Sequence, residues 1–294
     1  MRQAVQQLAN SDSKGDANES RIDAEVLLAH TLNCCRTSLY TWPDKLLDAA
    51  QLQQITSLLH RRLQGEPIAY LSGRCEFFSM PLHVTPAVLI PRSDTETLVE
   101  AVLVRLPRLF CSLNGTDPVI IELGTGSGAI ALALASEAKK ASAALNIIAT
   151  DCSVAALAIA SANVATHASH IAPNHLTLLS ANWLAPFKDN SADIILSNPP
   201  YIAQTDHHLK TLTFEPQSAL VSGHDGLDDI QQIIRDGVRV GKGGALLALE
   251  HGSTQGAAVR SLFSTNGYID IETVNDLTGH ERVTLGFCPV KHSH

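Results

Sequence analysis

A glycine-rich segment is the first feature of the sequence whose residue types could do chemistry. It reads Glu122-Leu123-Gly124-Thr125-Gly126-Ser127-Gly128 and follows a short apolar run. Glycine permits positive φ angles and lets a ligand approach the backbone without a Cβ in the way. The spacing of Gly124, Gly126 and Ala129 matches a dinucleotide-binding turn, but it also fits a tight strand-to-helix turn that binds nothing.

Two carboxylates narrow the choice of ligand for this segment. Glu122 ends the first predicted strand just before the glycines, where a negative charge suits an ammonium group better than a pyrophosphate. Asp151 ends the next predicted strand, where it could accept hydrogen bonds from both ribose hydroxyls of an adenosine. S-adenosylmethionine carries both an ammonium group and a ribose. The glycine turn and the two carboxylates together therefore predict a site for S-adenosylmethionine.

The tetrapeptide Asn198-Pro199-Pro200-Tyr201 follows a later predicted strand, at the edge where ligands bind in open α/β folds. A planar amide or aminopyrimidine nitrogen is a weak nucleophile because its lone pair is delocalised. The Asn198 side-chain oxygen and the Pro199 carbonyl could hold its two N–H groups, and the prolines stiffen both acceptors. Tyr201 offers a flat face for stacking. The tetrapeptide predicts methyl transfer to such a nitrogen through positioning and charge stabilisation, although alone it also fits a turn that closes a strand.

The elements that must position these residues are apolar strands alternating with helices. Strands are predicted at 118–122, 146–150, 176–179, 193–197 and 245–250, and helices at 129–139, 154–165, 227–240 and 257–266. This alternation indicates a parallel sheet covered by helices on both faces. Two more strands, at 268–273 and 282–287, leave no room for a crossover helix and should pair antiparallel at one edge. The prediction is a seven-stranded, Rossmann-like α/β sheet.

Residues 1–73 show a different pattern. Apolar residues recur at helical spacing from Ile22 to Leu32 and from Leu52 to Leu63, so each segment should have one apolar face. Short apolar pieces at 75–78 and 82–84 predict a β-hairpin. We therefore expect a small all-α domain at 1–73, followed by a hairpin linker and the α/β domain at 74–294.

Composition limits the classes of function. The 294 residues are enough for two domains, and the net charge of −8 disfavours a nucleic-acid partner, since such proteins usually carry a basic face. The sequence shows no signal peptide and no apolar stretch long enough for a membrane span. The six cysteines lack metal-ligand spacing, and the pair His207–His208 lacks a supporting carboxylate pattern. We expect reduced thiols, no metal, no membrane and a cytoplasmic location.

Further sequence segments accompany the two motifs and are spread over nearly the full length of the chain. They are Gly65-Glu66-Pro67-Ile68, Leu89–Glu96, Phe214-Glu215-Pro216, Asp225-Gly226-Leu227, Leu249–Gly252 and Glu281–Gly286. With them, the chain resembles the HemK/PrmC family of bacterial N5-glutamine methyltransferases that act on peptide chain release factors. The resemblance implies a class I methyltransferase domain, S-adenosylmethionine as the cofactor and class 1 release factors as substrates recognised by the helical domain.

The resemblance also implies roles for individual residues. Gly124 to Gly128 would cradle the methionine part, Asp151 would hold the ribose and Trp183 would lie against the adenine. Asn198 and the three residues after it would bind the glutamine amide. Taken alone, Trp183 fits an ordinary core aromatic better, and the carboxylates of Glu215 and Glu250 are interpreted as solvated or capping groups outside the catalytic set.

Three positions depart from the family pattern. Glu122 stands where the family usually has Asp, Ser93 where it has a second proline, and Asn182 where it often has an acidic neighbour of Trp183. Ser93-Asp94-Thr95-Glu96 predicts a capping box that would preserve the start of the following helix. The Asn182 departure puts a hydrogen bond to the adenine amino group in doubt.

Other functions stay open at this point. Within the same chemistry, the acceptor could be a ribosomal-protein glutamine or, against the acidic charge, a DNA adenine. From another class, the chain could be a non-catalytic nucleotide-binding module or a dinucleotide oxidoreductase. Neither of these two functions explains the tetrapeptide that begins at Asn198.

Overall fold

The structure is a computed structural model that describes residues 17–42, 44–112 and 116–290. The chain divides into two compact units, Met1–Arg74 and Cys75–His294, one residue beyond the boundary expected at 73. The prediction that there is no signal peptide concerns the start of the sequence, and residues 1–16 there lie outside the described residues. Across the described ranges, no helix combines the length and the apolar composition that a membrane span requires.

The first unit contains four helices in its described residues, which confirms the predicted all-α character. They are α1 (Ala17–Thr31), α2 (Arg36–Thr41), α3 (Ala49–Leu63) and α4 (Ile68–Ser72). The predicted apolar faces were partly wrong, because Ile22, Leu52 and Leu63 are exposed. The buried face of α1 centres instead on Leu27 and Leu28, which join Ile55 and Leu59 of α3 in one core.

A β-hairpin opens the second part of the chain, as predicted. Its strands are β1 (Arg74–Phe77) and β2 (Met80–His83), which form a two-stranded sheet. The two linking residues, Phe78 and Ser79, have φ angles of 49° and 58°. Positive φ at both positions is the arrangement of a tight turn whose twist matches that of the flanking strands.

The second unit is built on a seven-stranded sheet. Its strands are β3 (Val119–Leu123), β4 (Asn146–Asp151), β5 (His175–Ser180), β6 (Ala192–Ser197), β7 (Gly241–Glu250), β8 (Ile269–Asn275) and β9 (Glu281–Phe287). The strand order is β5-β4-β3-β6-β7-β9-β8. The first five strands pair in parallel, and β9 pairs antiparallel with both β7 and β8. The mostly parallel sheet with an antiparallel pair at one edge is confirmed, and the strand that runs opposite to the others is β9, one position in from the edge.

Helices connect the strands. They are α5 (Glu96–Ser112), α6 (Ala129–Lys140), α7 (Val154–Thr166), α8 (Ala168–Ile171), α9 (Asp228–Val240) and α10 (Gly256–Thr265), with 3-10 turns at Ser93–Thr95, His207–Thr211 and Gln217–Ala219. The capping box predicted before α5 was wrong. The chain enters α5 through a 3-10 turn, and the Glu96 carboxylate accepts from the Phe78 amide at 2.8 Å, so Glu96 ties the hairpin turn to the helix.

Strand register aligns the ends of three central strands. Side chains alternate along β3, so Ile120 packs in the core on one face of the sheet and Ile121 in the core on the other. Leu123, the last residue of β3, is in register with Thr150 of β4 and Ser197 of β6. The residues that follow these strands therefore emerge together at the carboxyl edge of the sheet.

Candidate functional site

A cavity of about 450 Å³ opens at this carboxyl edge. Its wall combines the two motifs that the sequence singled out, since Gly124, Gly126 and Asp151 line it together with Asn198 and Pro200. The rest of the wall comes from four further segments: Ala87 to Leu89; Cys152, Ser153, Ala155 and Ala156; Ala181 to Trp183 with Asp229; and Pro216, Ser218 and Ala219. Six of the predicted site residues do not line it; they are Glu122, Thr125, Ser127, Gly128, Pro199 and Tyr201.

Backbone hydrogen bonds hold the glycine turn against the end of β4. The Gly126 amide donates to Asp151 Oδ2 at 2.9 Å, and the Ser153 amide donates to Asp151 Oδ1 at 2.8 Å. Gly126 has a φ of 55°, and a Cβ built there would meet no atom within 4 Å. The open space beside Gly126 belongs to the cavity wall, so any side chain at this position would occupy room that a ligand needs.

The remaining residues of the turn contact other parts of the protein and do not line the cavity. Thr125 donates through its hydroxyl to Glu122 Oε2 at 2.9 Å, and the Ser127 carbonyl accepts from Asn163 Nδ2 at 2.9 Å. Gly128, with a φ of 83°, precedes α6 and packs closely on Ala160. Of the five residues predicted to cradle a ligand, Gly124 and Gly126 line the cavity, and their role in binding stays a prediction.

Glu122 is buried under the turn. Burial raises the pKa of its carboxyl to about 8, against the opposing effects of the Thr125 hydroxyl and the Ala131 amide. Its Oε1 has no hydrogen-bond partner among the described residues. An unpaired buried carboxyl oxygen beneath a ligand turn favours a cationic or donating group above it.

Trp183 belongs both to the cavity wall and to the core of the second unit. Its ring lines the cavity beside Gly124, whose Cβ would lie 3.6 Å from the ring, and it also packs on the core between the sheet and α9. The indole Nε1 donates to Asp229 Oδ1 at 3.0 Å, and the Asp229 amide donates to Ser222 Oγ at 2.8 Å. Local sequence patterns could not single out Asp229, because it lies 46 residues from the indole that it orients.

Asn198 stands at the other end of the cavity, directly after β6. Its Nδ2 donates to Thr95 Oγ1 at 3.0 Å, which leaves the side-chain oxygen as the acceptor end of the carboxamide. Pro199 and Pro200 are buried, and their fixed φ angles make the segment stiff. The Tyr201 carbonyl accepts from Gln255 Nε2 at 3.0 Å, and the Tyr201 hydroxyl reaches Glu250 Oε1 at 3.4 Å.

The interpretation of Glu215 and Glu250 as solvated or capping carboxylates was wrong, because both are buried. Glu215 accepts from the Ile90 amide at 3.2 Å and from the Arg92 guanidinium, so it ties the hairpin linker to the segment after β6. Burial raises the pKa of Glu250 to about 7, while the hydroxyls of Thr95 and Tyr201 and the charge of Arg282 act to lower it.

His207 and His208 have carboxylate support that the sequence pattern did not suggest. Asp206 Oδ1 lies 2.8 Å from His208 Nδ1 and 3.5 Å from His207 Nδ1, and the three side chains bring potential ligand atoms within 4.8 Å of one another. Both histidines are exposed on a 3-10 turn, where neighbouring acidic and imidazole groups commonly pair without an ion. The expectation of no metal remains a prediction.

Two solved structures share the fold of the second unit. A 16S rRNA N2 methyltransferase of T. thermophilus, in complex with AdoMet and guanosine, superposes with a TM-score of 0.52 at 16% identity, covering 73% of this chain and 49% of that one. The N-terminal domain of human METTL16, in complex with SAH, has a TM-score of 0.50 at 14% identity, covering 73% and 77%. The seven-stranded sheet of the second unit thus has the class I methyltransferase fold.

Sequence relatives carry the assignment further. Residues 1–73 match the family model of the PrmC N-terminal domain, and residues 103–221 match that of the methyltransferase small domain. The release factor glutamine methyltransferase of Salmonella typhimurium is 44% identical over 97% of this chain and 96% of its own length, and that of Escherichia coli is 43% identical over the same shares. The relative from Xylella fastidiosa strain Temecula1 is 44% identical over 92% and 94%. The chain belongs to the release factor glutamine methyltransferase family.

Proposed function

We propose that the protein transfers a methyl group from S-adenosylmethionine to the side-chain amide nitrogen of the glutamine in the Gly-Gly-Gln loop of class 1 peptide chain release factors. The observation that carries the proposal is the single cavity whose wall includes both the Gly124–Asp151 end and the Asn198 end. Two-substrate chemistry needs both partners in one enclosure, and a nucleotide-binding module or an oxidoreductase would have no use for Asn198 there. Such an activity acts in translation termination, in the cytoplasm.

The residues present fit S-adenosylmethionine. The space beside Gly126 is open, Asp151 presents a carboxylate to the cavity, and the unpaired Oε1 of Glu122 lies beneath the turn. Asp151 keeps acceptor capacity for ribose hydroxyls, because each of its oxygens accepts one backbone hydrogen bond and has a second lone pair. Trp183 offers a ring for the adenine. Bound S-adenosylmethionine supplies an electrophilic methyl group and keeps the electron pair of the broken carbon–sulfur bond.

At the Asn198 end of the cavity, the protein's own residues hold the glutamine amide, whose nitrogen is a poor nucleophile. Asn198, which lines the cavity, accepts one N–H of the glutamine amide through Oδ1, and the carbonyl that joins Pro199 to the cavity-lining Pro200 accepts the other. These two bonds turn the nitrogen lone pair toward the methyl group. As the nitrogen becomes positively charged, both acceptors bind it more strongly, so they stabilise the transition state more than the ground state. The methylated nitrogen then transfers one proton to water, and the neutral amide is restored.

The substrate part of the proposal draws on the relatives named above and on three features of this chain. The net charge of −8 suits a protein partner better than a nucleic acid. The helical unit at residues 1–73 is larger than a free amino acid would require, and we propose that it recognises the folded release factor. A glycine-flanked glutamine can enter a cavity of this size with little steric hindrance.

The experiment is peptide mapping by mass spectrometry after purified enzyme and S-adenosylmethionine act on release factor, on ribosomal proteins and on DNA in parallel. We expect one methyl group on the Gly-Gly-Gln glutamine. The matched control is a release factor with that glutamine replaced by asparagine, which should stay unmodified. Methyl found only on a ribosomal-protein glutamine or only on adenine would reject the substrate while keeping the amino-group chemistry.

A further inference from the structure

One stretch of the chain contributes to the cavity wall although most of it belongs to no helix or strand. It runs from His83, the last residue of β2, to Arg92, and we name it the wall segment. Ala87, Val88 and Leu89, in its middle, line the cavity. A segment without regular backbone pairing needs other groups to hold its backbone, so the contacts at its two ends decide where this part of the wall lies.

Asn163 of α7 holds the first end of the wall segment. Its Oδ1 accepts from the His83 amide at 2.7 Å, and its Nδ2 donates to the His83 carbonyl at 2.9 Å. Nδ2 also donates to the Ser127 carbonyl at 2.9 Å. Asn163 is only 2% exposed, and these bonds use one acceptor and two donors, which a carboxamide supplies and a carboxylate does not. One buried side chain therefore joins the wall segment to the glycine turn.

Glu215 holds the second end of the wall segment. Its Oε2 accepts from the Ile90 amide at 3.2 Å, and its Oε1 accepts from the Arg92 guanidinium. The Glu215 side chain is 3% exposed, and both of its partners are donors, so an ionised carboxylate satisfies the two together. Pro216, the next residue, lines the cavity. Glu215 therefore joins the wall segment to another part of the cavity wall.

The two contacts lie beside different ends of the cavity. Asn163 acts beside the cofactor end, because the second carbonyl that it holds belongs to the glycine turn. Glu215 acts beside the acceptor end. Its partner Arg92 lies three residues before Thr95, whose Oγ1 accepts from Asn198 Nδ2 at 3.0 Å. Loss of either contact should therefore disturb the binding of a different ligand.

We propose that Asn163 and Glu215 are positioning residues that fix the two ends of the wall segment, Asn163 in support of S-adenosylmethionine binding and Glu215 in support of methyl-acceptor binding. The inference rests on the proposed function, because it takes the cavity as the place where both substrates meet. It goes further by assigning separate roles to two buried residues that do not line the cavity.

The first test is Asn163→Asp, which keeps the shape of the side chain but turns an oxygen toward the two carbonyls that Nδ2 holds. We expect S-adenosylmethionine to bind roughly 10-fold more weakly in calorimetry, as for the loss of buried hydrogen bonds, with an unchanged KM for release factor at saturating cofactor.

The matched control for this variant is Asn174→Asp. Asn174 is also buried, and it accepts from the Leu145 amide and donates to the Ala135 carbonyl, both at 2.7 Å. Leu145 directly precedes β4, at the end of the strand away from the cavity. Asn174→Asp therefore makes the same change in a similar setting, and it should bind the cofactor as the wild type does.

The second test is Glu215→Gln, which keeps the shape but sets an NH2 group against one of two donors. We expect KM for release factor to rise roughly 10-fold while cofactor affinity stays at the wild-type value. The matched control is Asp193→Asn. Asp193 is a buried carboxylate that accepts from the Val119 amide at 2.9 Å and from the Lys242 ammonium at 2.7 Å, at the first residue of β3. This control should leave KM for release factor unchanged.

The crossed pattern separates positioning from a general loss of stability, which thermal melts of all four variants measure. Equal losses of affinity in a variant and its control, or loss of both affinities in both Asn163→Asp and Glu215→Gln, would overturn the inference. Unchanged cofactor affinity in Asn163→Asp would overturn it as well, and that measurement needs no methyl acceptor.

Hydrogen exchange of the wild-type protein adds a measurement without any substitution. S-adenosylmethionine should slow exchange in peptides that cover residues 83–92 by more than in peptides that cover the edge strand β8. The absence of such a difference would overturn the inference even if a variant failed to fold. Failure of the proposed function appears separately, as a wild-type enzyme that binds the cofactor but leaves the release factor glutamine unmodified.

Discussion

The two ends of the cavity are held by different kinds of bond. At the glycine turn the contacts involve the backbone, since the Thr125 amide donates to the Thr150 carbonyl and the Gly126 amide to Asp151. At the Asn198 end the contacts join side chains, through Thr95 and through the Tyr201–Glu250 pair. The first end therefore depends mainly on backbone conformation, whereas the second depends on the chemistry of individual side chains.

The ends also differ in how far apart their partners lie in the sequence. Gly126 and Asp151 are 25 residues apart, within one strand–helix–strand unit, while Asn198 and Thr95 are 103 apart. A local unit can form its contact as soon as two neighbouring strands pair. The acceptor end needs three separate segments in place, so substitutions at each end should affect different measurements.

The largest expected effect is on cofactor binding at the backbone-held end. Gly126→Leu should abolish measurable binding of S-adenosylmethionine in calorimetry, because the side chain would fill open cavity space at a φ of 55°. Gly279→Leu is the matched control, since Gly279 has a φ of 88° and equally open surroundings in an exposed turn. Both should lose about 1–2 kcal/mol of stability from backbone strain, but only the first should lose the cofactor. Wild-type affinity in Gly126→Leu would remove the turn from the cofactor site.

The next largest effect is on turnover at the side-chain-held end. Asn198→Ala removes an acceptor that matters most as charge develops on the nitrogen, so kcat should fall about 100- to 1000-fold, by analogy with the loss of one oxyanion-hole donor. Cofactor affinity should change little. Asn266→Ala, at the end of α10, serves as the control and should keep full turnover. Near-normal kcat in Asn198→Ala would mean that another group holds the amide.

A smaller effect should follow from loosening Trp183. Asp229→Ala removes the acceptor of the indole N–H, and a hydrogen bond of about 1 kcal/mol corresponds to a roughly fivefold weaker cofactor affinity. Asp228→Ala is the control, because both residues are acidic and lie in the first turn of α9, so both lose the same helix-dipole interaction. Equal affinities in the two variants would show that the indole hydrogen bond does not position the ring for binding.

The smallest effect concerns stability against pH. The pKa of Glu122 rises from 4.5 to about 8 on folding, so the native state holds this proton more tightly, and the stability that this provides is complete below pH 4.5 and lost as the pH rises through 8. Glu122→Gln cannot lose that proton. Its free energy of unfolding in urea, relative to the wild type, should therefore increase from pH 5 to pH 8. Glu100→Gln, at an exposed position of α5, should show no such trend. A constant difference for Glu122→Gln would contradict the buried, protonated carboxyl.

The fold was largely predictable because hydrophobic periodicity and strand spacing are local signals. The parallel strands, the antiparallel final pair and the hairpin all follow from short windows of sequence. The face of α1 was not predictable in the same way, since Ile22 fits the helical spacing as well as Leu27 does, and only the packing of α3 decides which is buried.

The site was predictable where motif residues sit next to strand ends, as for Gly126 and Asn198. The buried partners Thr95, Asp229 and Glu250 could not be chosen among the other polar residues, because their roles arise from contacts 103, 46 and 49 positions away. For the same reason the capping box at Ser93 was a mistaken local interpretation. The long-range contact between Glu96 and the hairpin turn displaced it.

The position of β9 between β7 and β8 has a consequence for how the molecule assembles. β8 lies at the end of the sheet and bonds to β9, so it cannot join until β9 has docked on β7. Until then Leu246 to Glu250 present an open, apolar strand edge, which is a template for pairing with other chains. Docking of β9 closes that edge and covers Glu250 in the same step. The same strand pairing thus removes an aggregation-prone edge and places Val283 beside Glu250, so we expect a form of the chain without docked β9 to aggregate and to lack the proposed methyl transfer.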